Sequence, residues 1–337
     1  MKVLVTGGAG FIGSHLVDLA LDEGHEVWVI DDLSTGSLRN VEHLDDDTGF
    51  HLVIDSVLHP AIVNELVRKV DRVYHLAAAV GVKTIVEQPA RTLHVNLEGT
   101  QTVLEACRLF HRPLLITSTS EVYGDHRNQT PLHESDRRIY GATTQRRWAY
   151  ADSKAMDEFL ALAYHDEYEL EVVIARLFNT VGARQTGRYG MVVPRFVERA
   201  ITGMPLEIYG DGRQTRCFCH VSDSIRALRD LADALPATSG EIYNVGAPNQ
   251  TSILELAWRV KEIVGSASET THIPFDQVYG TGIEDMLHRV PCIDKVRTAV
   301  GWSPELGLDD ILMDVIADVG VRLALPELTP RQEAATA

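Results

Sequence analysis

Residues 1–32 constrain the fold of this chain more than any other stretch. Lys2–Thr6 (KVLVT) is a short apolar run with β-branched residues, and Gly7, Gly8, Ala9, Gly10, Phe11, Ile12 and Gly13 follow at once. Ile12, Leu16, Leu19 and Ala20 then recur at three- and four-residue steps, the period of a helix. A second β-type run, Glu26–Ile30 (EVWVI), ends at Asp31 and Asp32. Strand, glycine turn, helix, strand and acid within about 30 residues is the layout of a dinucleotide-binding βαβ unit. Gly8 and Gly10 are expected to let the backbone turn tightly against a pyrophosphate, and Gly13 to let the helix lie close on the strand. The free N–H groups and dipole at the helix start favour phosphate charge. Gly7, Gly10, Phe11, Ile12 and Gly13 are therefore the expected cofactor contacts of this turn. Asp31 stands eighteen residues after Gly13, with Asp32 beside it. A carboxylate there accepts hydrogen bonds from an adenosine ribose and repels a 2′-phosphate, so the expected cofactor is NAD rather than NADP.

The alternation continues. His51–Ile54 reads as a third strand that ends at Asp55 and Ser56, where a loop meets the adenine. Pro60–Lys69 reads as a helix and Arg72–Leu76 as a fourth strand; Leu76, Ala77 and Ala78 then offer small side chains against which a cofactor can lie. Pro89–Leu109 is a long helix, Pro113–Thr117 a fifth strand, Gly124 to Arg147 an irregular polar stretch, Trp148–Tyr168 a second long helix and Glu171–Leu177 a sixth strand. Strands alternating with helices predict an α/β fold, a Rossmann doubly wound parallel sheet whose ligands sit at the strands' C-terminal ends. Gly7–Gly13, Ala77–Ala79, Thr119–Glu121 and Asn179 then share one crevice. Residues 1–180 are expected to form this domain, with 221–248 returning to it. Residues 181–325 form mainly a smaller C-terminal α/β lobe that closes over the crevice, and 326–337 a flexible tail.

Bulk properties narrow the partners. A formal charge of −17 argues against nucleic acid and anionic membrane surfaces as partners. Within the basic residues arginine outnumbers lysine 25 to 6, which favours fork-like binding of phosphate or carboxylate. The four cysteines form no C-x-x-C pair, as expected of free thiols in a reducing cytoplasm. Fourteen histidines are scattered without an H-E-x-x-H, so no metal site is expected. The first strand begins at residue 2, so no signal peptide is expected, and no apolar run is long enough to cross a bilayer.

Chemistry concentrates at Tyr150-Ala151-Asp152-Ser153-Lys154, at the start of the second long helix. The i, i+4 spacing sets phenol and ammonium on one face. With a positive nicotinamide, Lys154 is expected to stabilise a Tyr150 phenolate, so that Tyr150 acts as acid and base near neutral pH although free tyrosine titrates near 10.

From TGGAGFIG through Y-x-x-x-K to the C-terminal lobe, the sequence resembles extended short-chain dehydrogenases/reductases, the branch that remodels nucleotide-sugars. The resemblance implies that Thr119 acts with Tyr150 and Lys154, and that hydride passes between sugar carbon 4 and a retained NAD. STSEVYGD (Ser118–Asp125), RRWAYADSK (Arg146–Lys154), QTRCF (Gln214–Phe218) and YGTGIEDMLHRVP (Tyr279–Pro291) are most similar to UDP-glucuronate decarboxylases of the UDP-xylose synthase type. That similarity implies active-site roles for Glu121 and Arg289. It also implies a grip on the nucleotide diphosphate by Asn179, Arg216 and Arg289. Ser120 is a further expected substrate contact, and Arg184 and Arg188 read either as diphosphate or carboxylate ligands or as solvated loop charges. LFNTVGARQTGRYGMVVPRF (Leu177–Phe196) resembles UDP-sugar 4-epimerases instead. The implied reaction is loss of CO2 from a 4-keto intermediate, giving UDP-xylose or releasing a UDP-4-keto-pentose. The alternative is 4-epimerisation of UDP-glucose or UDP-glucuronate. A non-catalytic NAD-binding protein is disfavoured by the presence of Thr119, Tyr150 and Lys154 together. Relatives of this type pair their two long helices across a two-fold axis, so a homodimer is expected.

Overall fold

The computed structural model describes residues 1–81, 87–126, 131–146, 148–187, 190–274, 277 and 289–324. Arg188, residues 280–288 of the long loop and the 326–337 tail therefore lie outside the described residues. The first half runs β1 (Lys2–Thr6), α1 (Phe11–Asp22), β2 (Glu26–Asp31), β3 (Phe50–Ile54), α2 (Pro60–Lys69), β4 (Arg72–His75), α3 (Pro89–Phe110), β5 (Leu114–Thr119), α4 (Trp148–Tyr168) and β6 (Val172–Leu177). The remainder adds β7 (Thr180–Val181), α5 (Val192–Ile201), β8 (Leu206–Tyr209), β9 (Thr215–Cys217), β10 (Cys219–His220), α6 (Val221–Asp233) and β11 (Glu241–Val245). It ends with β12 (Gln250–Ser252), α7 (Ile253–Val264), β13 (Thr270–Ile273), α8 (Asp294–Val300) and α9 (Leu308–Ala324).

Seven strands form one sheet in the order β3-β2-β1-β4-β5-β6-β11, and every pairing in it is parallel. The apolar β1 run follows from this, because a parallel strand is covered on both faces. Val3 and Val5 point to the side of α1 and α6, where Leu16, Val17, Ile225 and Leu228 bury them. Leu4 points the other way, onto Val63 and Leu66 of α2, Val103 and Leu104 of α3 and Ala161 of α4. The strand order turns back between β1 and β4, and the crevice opens at their C-terminal ends. A separate core joins Phe196 of α5, Leu206 and Ile208 of β8, Leu256 of α7 and Leu312 and Val315 of α9.

Two expectations shift. The fifth strand continues to Thr119 because Thr117, Ser118 and Thr119 pair with Ala175, Arg176 and Leu177 of β6. The fourth stops at His75, one residue before Leu76.

Candidate active site

A cleft of about 1180 Å³ lies along the C-terminal ends of β1, β4, β5 and β6 and is closed on its far side by residues of α5, β9 and α9. Its floor is the glycine turn. Gly7 adopts a left-handed φ of +72°, and a Cβ there would sit 2.8 Å from the Ala77 nitrogen. A Cβ on Gly13 would sit 2.1 Å from the Gly7 carbonyl oxygen, so any larger residue would push α1 off the turn. Gly8 departs from expectation: its missing Cβ makes room for the Val29 side chain rather than for a ligand. Helix α1 starts from Gly10 with no side-chain cap, leaving its first N–H groups beside the cleft wall made by Gly10, Phe11, Ile12 and Gly13.

Asp31 closes the adenosine end. One carboxylate oxygen accepts the Leu33 N–H at 2.8 Å and the other the Ala9 N–H at 3.0 Å. The Gly10 N–H also bonds this carboxylate, which still keeps acceptor capacity for a diol. Burial pushes its acidity down, against these N–H donors. Asp32 accepts from the Ser34 N–H at 2.9 Å and faces Arg91 at 3.9 Å. Asp55 accepts from the Ser56 N–H at 2.6 Å and also contacts His59. Asp31, Asp32, Asp55, Ser56, Leu76, Ala77 and Ala78 all line the cleft. Thr6 holds Leu76 and Ala77: its hydroxyl accepts the N–H of Leu76 at 3.2 Å and of Ala77 at 3.1 Å. These groups suit a dinucleotide: a cradle only glycine permits, uncapped helix N–H groups for the pyrophosphate and a buried carboxylate for the ribose.

Thr119, Tyr150 and Lys154 meet at the middle of the cleft. Tyr150 faces the Thr119 hydroxyl, and Arg289 and Glu121 stand close enough to bias its charge in opposite senses. Burial, then Glu121 and Asp157, push the phenol well above its ordinary value. Lys154 is paired to Asp157 at 2.8 Å, so its charge is largely spent there.

The sugar side is assembled from distant parts of the chain. Arg289 is nine-tenths buried and donates to Ser120 Oγ at 3.2 Å and to Asn179 Oδ1 at 3.4 Å. Its guanidinium is 3.6 Å from the Glu121 carboxylate. Asn179, at a φ of +37°, donates to the Cys217 carbonyl at 3.0 Å and so ties β6 to β9. Arg216 lines the cleft from β9 and donates to the Thr215 carbonyl at 2.8 Å. Arg184 also lines the cleft, yet it pairs with Asp18 of α1 at 2.7 Å.

Sequence reasoning missed several groups here. Arg195, Gln185, Gln214 and Tyr209 line the substrate end, and Arg195 lies over the Tyr209 ring at 3.9 Å. Asn96 of α3 accepts the Ala79 N–H at 2.8 Å and donates to Ser153 at 3.1 Å; Ser153 in turn donates to the Tyr150 carbonyl at 2.8 Å. Asp157 was readable as an i+3 acid on the lysine's face. Asn96 carries no such local signal.

A Rossmann sheet with a glycine cradle, a ribose-facing acid and a Tyr-x-x-x-Lys helix beside a strand-end threonine defines an extended short-chain dehydrogenase/reductase. More narrowly, the chain belongs to the GDP-mannose 4,6 dehydratase family, whose profile matches residues 4–315. It is 38% identical over 317 residues to the UDP-N-acetyl-alpha-D-glucosaminuronate decarboxylase of Bacillus cytotoxicus, covering 94% of this chain and 96% of that one. It is 35% identical over 331 residues to UDP-glucuronic acid decarboxylase 6 of Arabidopsis thaliana, covering 97% and 91%. Among solved structures, the UDP-glucuronic acid 4-epimerase of Bacillus cereus, in complex with UDP-glucuronic acid and NAD, superimposes with a TM-score of 0.85 at 29% identity, covering 96% of this chain and all of that one.

Proposed function

We propose that this protein is a NAD-dependent UDP-glucuronate decarboxylase. The observation that carries the reading is the meeting of Glu121 with Arg289 at 3.6 Å, on the sugar side of Thr119 and Tyr150. The decarboxylases of Bacillus cytotoxicus and Arabidopsis support it.

NAD, when bound, accepts hydride from sugar carbon 4 and returns it. Gly7, Gly10 and Gly13 would admit its pyrophosphate, Asp31 would hold its adenosine ribose, and Lys154 would stand at its nicotinamide end. Tyr150, aligned by Thr119, removes the proton of the 4-hydroxyl as carbon 4 becomes a ketone. The carboxylate on carbon 5 is then β to that ketone. The bond between carbon 5 and the carboxylate breaks, its electron pair passes into the ketone as an enolate, and CO2 leaves. Glu121 orders a water that protonates carbon 5, and Tyr150 returns its proton to oxygen 4 as the ketone is reduced. The net change is UDP-glucuronate plus one proton to UDP-xylose plus CO2. Ser120, Asn179, Arg216 and Arg289 grip the nucleotide sugar, and Arg184 joins them only by leaving Asp18.

The second reading is 4-epimerisation, favoured by the likeness to the Bacillus cereus epimerase. Incubation with UDP-glucuronate, and in parallel its 2-acetamido analogue, with product identification by NMR separates the two. A UDP-pentose is expected, and a UDP-hexuronate inverted at carbon 4 would move the protein to the epimerase reading.

We further propose a homodimer built on α3 and α4. Leu109, Met156, Phe159 and Tyr168 are each about half exposed on these helices, a concentration of apolar surface that a monomer seldom leaves to water. Light scattering at micromolar concentration is expected to give twice the chain mass, with Phe159→Glu shifting it toward the monomer; a wild-type monomer would contradict this. The four cysteines are unpaired, which supports a reducing cytoplasmic setting. No helix among the described residues is long and apolar enough to cross a membrane.

A further inference from the structure

The Lys154 ammonium has a partner that the reaction as written does not use. Asp157 Oδ2 lies 2.8 Å from Lys154 Nζ, and the two side chains are only 1% and 4% exposed. Two charges so deeply buried are tolerated only when each offsets the other in a fixed geometry.

Among the described residues the Asp157 oxygens accept no hydrogen bond, so Lys154 is what compensates them, and the histidine nearest the pair is held by a hydrogen-bond chain of its own. Thr6 Oγ1 accepts the N–H of Leu76 and of Ala77, which occupies both its lone pairs. Its own O–H therefore donates to His75 Nδ1 at 2.7 Å. Nδ1 is bare, so His75 carries its proton on Nε2 and donates it to Thr100 Oγ1 at 3.1 Å. Burial, then Lys154, push His75 down to about 3, which keeps it neutral in this role. The chain thus runs from the end of β1, across β4, to Thr100 of α3.

We propose that Asp157 is a positioning residue for the reaction: 2.8 Å from Lys154 Nζ, it fixes the ammonium and cancels most of its charge, so that a cationic cofactor is needed before Tyr150 becomes a base. The inference rests on the reading of Tyr150 and Lys154 as the proton-transfer pair, and is indifferent to whether the 4-keto sugar loses CO2 or is turned over. A phenol beside a bare ammonium loses its proton readily; beside an ammonium–carboxylate pair it does not. The charged groups around the pair are Tyr150 with Glu121 and Arg289 on one side, neutral His75 on another, and Glu158, bound to Arg176, behind. An oxidised nicotinamide is a cation and a reduced one is neutral. Tyr150 is thereby a base when the sugar is to be oxidised and an acid when the ketone is to be reduced.

Asp157→Asn keeps the shape and removes the charge. The acid limb of the kcat–pH profile is expected to move down by about one pH unit, the size of a nearby charge at an effective dielectric near 20, with KM changed less than about threefold. Absorbance titration of the Tyr150 phenolate in the protein without added substrate, taken as the difference from Tyr150→Phe in each background, is expected to move the same way. Limb and titration both within roughly 0.2 units of wild type would overturn the proposal, since a merely structural role moves neither. Should Asp157→Asn fail to fold, Asp157→Ala carries the same expectation and the same contrary result. If the protein turns over no UDP-hexuronate, the proposed function fails, while the phenolate titration still judges Asp157.

Discussion

Replacing Tyr150 by Phe is expected to lower turnover by a factor on the order of 10² or more while leaving cofactor and UDP binding within about threefold of wild type. The substitution removes only the oxygen. The ring stays, and so does the backbone carbonyl that Ser153 grips at 2.8 Å, so the helix start keeps its anchor to Asn96. What is lost is the group that takes a proton from the 4-hydroxyl and later returns one. That loss belongs to the chemical step, so it falls on kcat rather than KM. Steady-state kinetics with equilibrium binding of NAD and UDP check this. A variant with near-normal turnover would remove Tyr150 from the mechanism.

The largest effect on stability is expected at Arg176. Its guanidinium is bidentate to Glu158, with bonds of 2.9 and 2.7 Å, and donates to the Glu134 carbonyl at 3.1 Å. Ser118 adds a hydrogen bond to Glu158 at 2.5 Å. Arg176 also lies over the Tyr123 ring at 4.7 Å. Both partners of the ion pair are more than nine-tenths buried. Arg176→Met leaves the Glu158 carboxylate buried without a cation, at a cost of about 3–5 kcal/mol. Arg176→Met with Glu158→Leu is expected to recover most of that loss, because it removes the stranded charge rather than restoring the pair. Denaturant unfolding of the two variants measures it; a single variant as stable as wild type would contradict the account. Arg176 and Ser118 are register partners on β6 and β5, and Thr119 is the next residue of β5. The single variant therefore also loosens the strand end that aligns the phenol.

These two sites differ in how legible they were. Tyr150 and Lys154 sit on one helix face, and the glycine turn sits between a strand and a helix, so local spacing was enough to find both. The long helices and central strands were readable for the same reason, since each carries a sustained period or a continuous apolar run. Arg176 and Glu158 gave no local signal, because an ion pair between a strand and a helix has no signature until the two are packed together. Arg289 and Glu121 are 168 residues apart and meet only because residue 289 returns to the end of β5. The strands β7, β9, β10 and β12 are two or three residues long and exist through pairing with one another, which no short pattern can announce. Helix α8, of seven residues, is shorter than two helical repeats of the apolar pattern and was missed for that reason. Arg184 shows the limit from the other side: its type and place in a basic loop suggested an anion ligand, whereas the fold gives it Asp18.

The central claim is that the meeting of Glu121 and Arg289 beside Tyr150 steers a 4-keto sugar toward loss of its carboxylate. Its most direct test uses UDP-glucuronate labelled in that carboxylate, given to the purified protein with NAD and no other oxidant. The account predicts release of the label as CO2 in step with formation of a UDP-pentose, with no net consumption of NAD when reduction completes the cycle. Retention of the label in UDP-galacturonate would contradict it and leave Glu121 without the role assigned here.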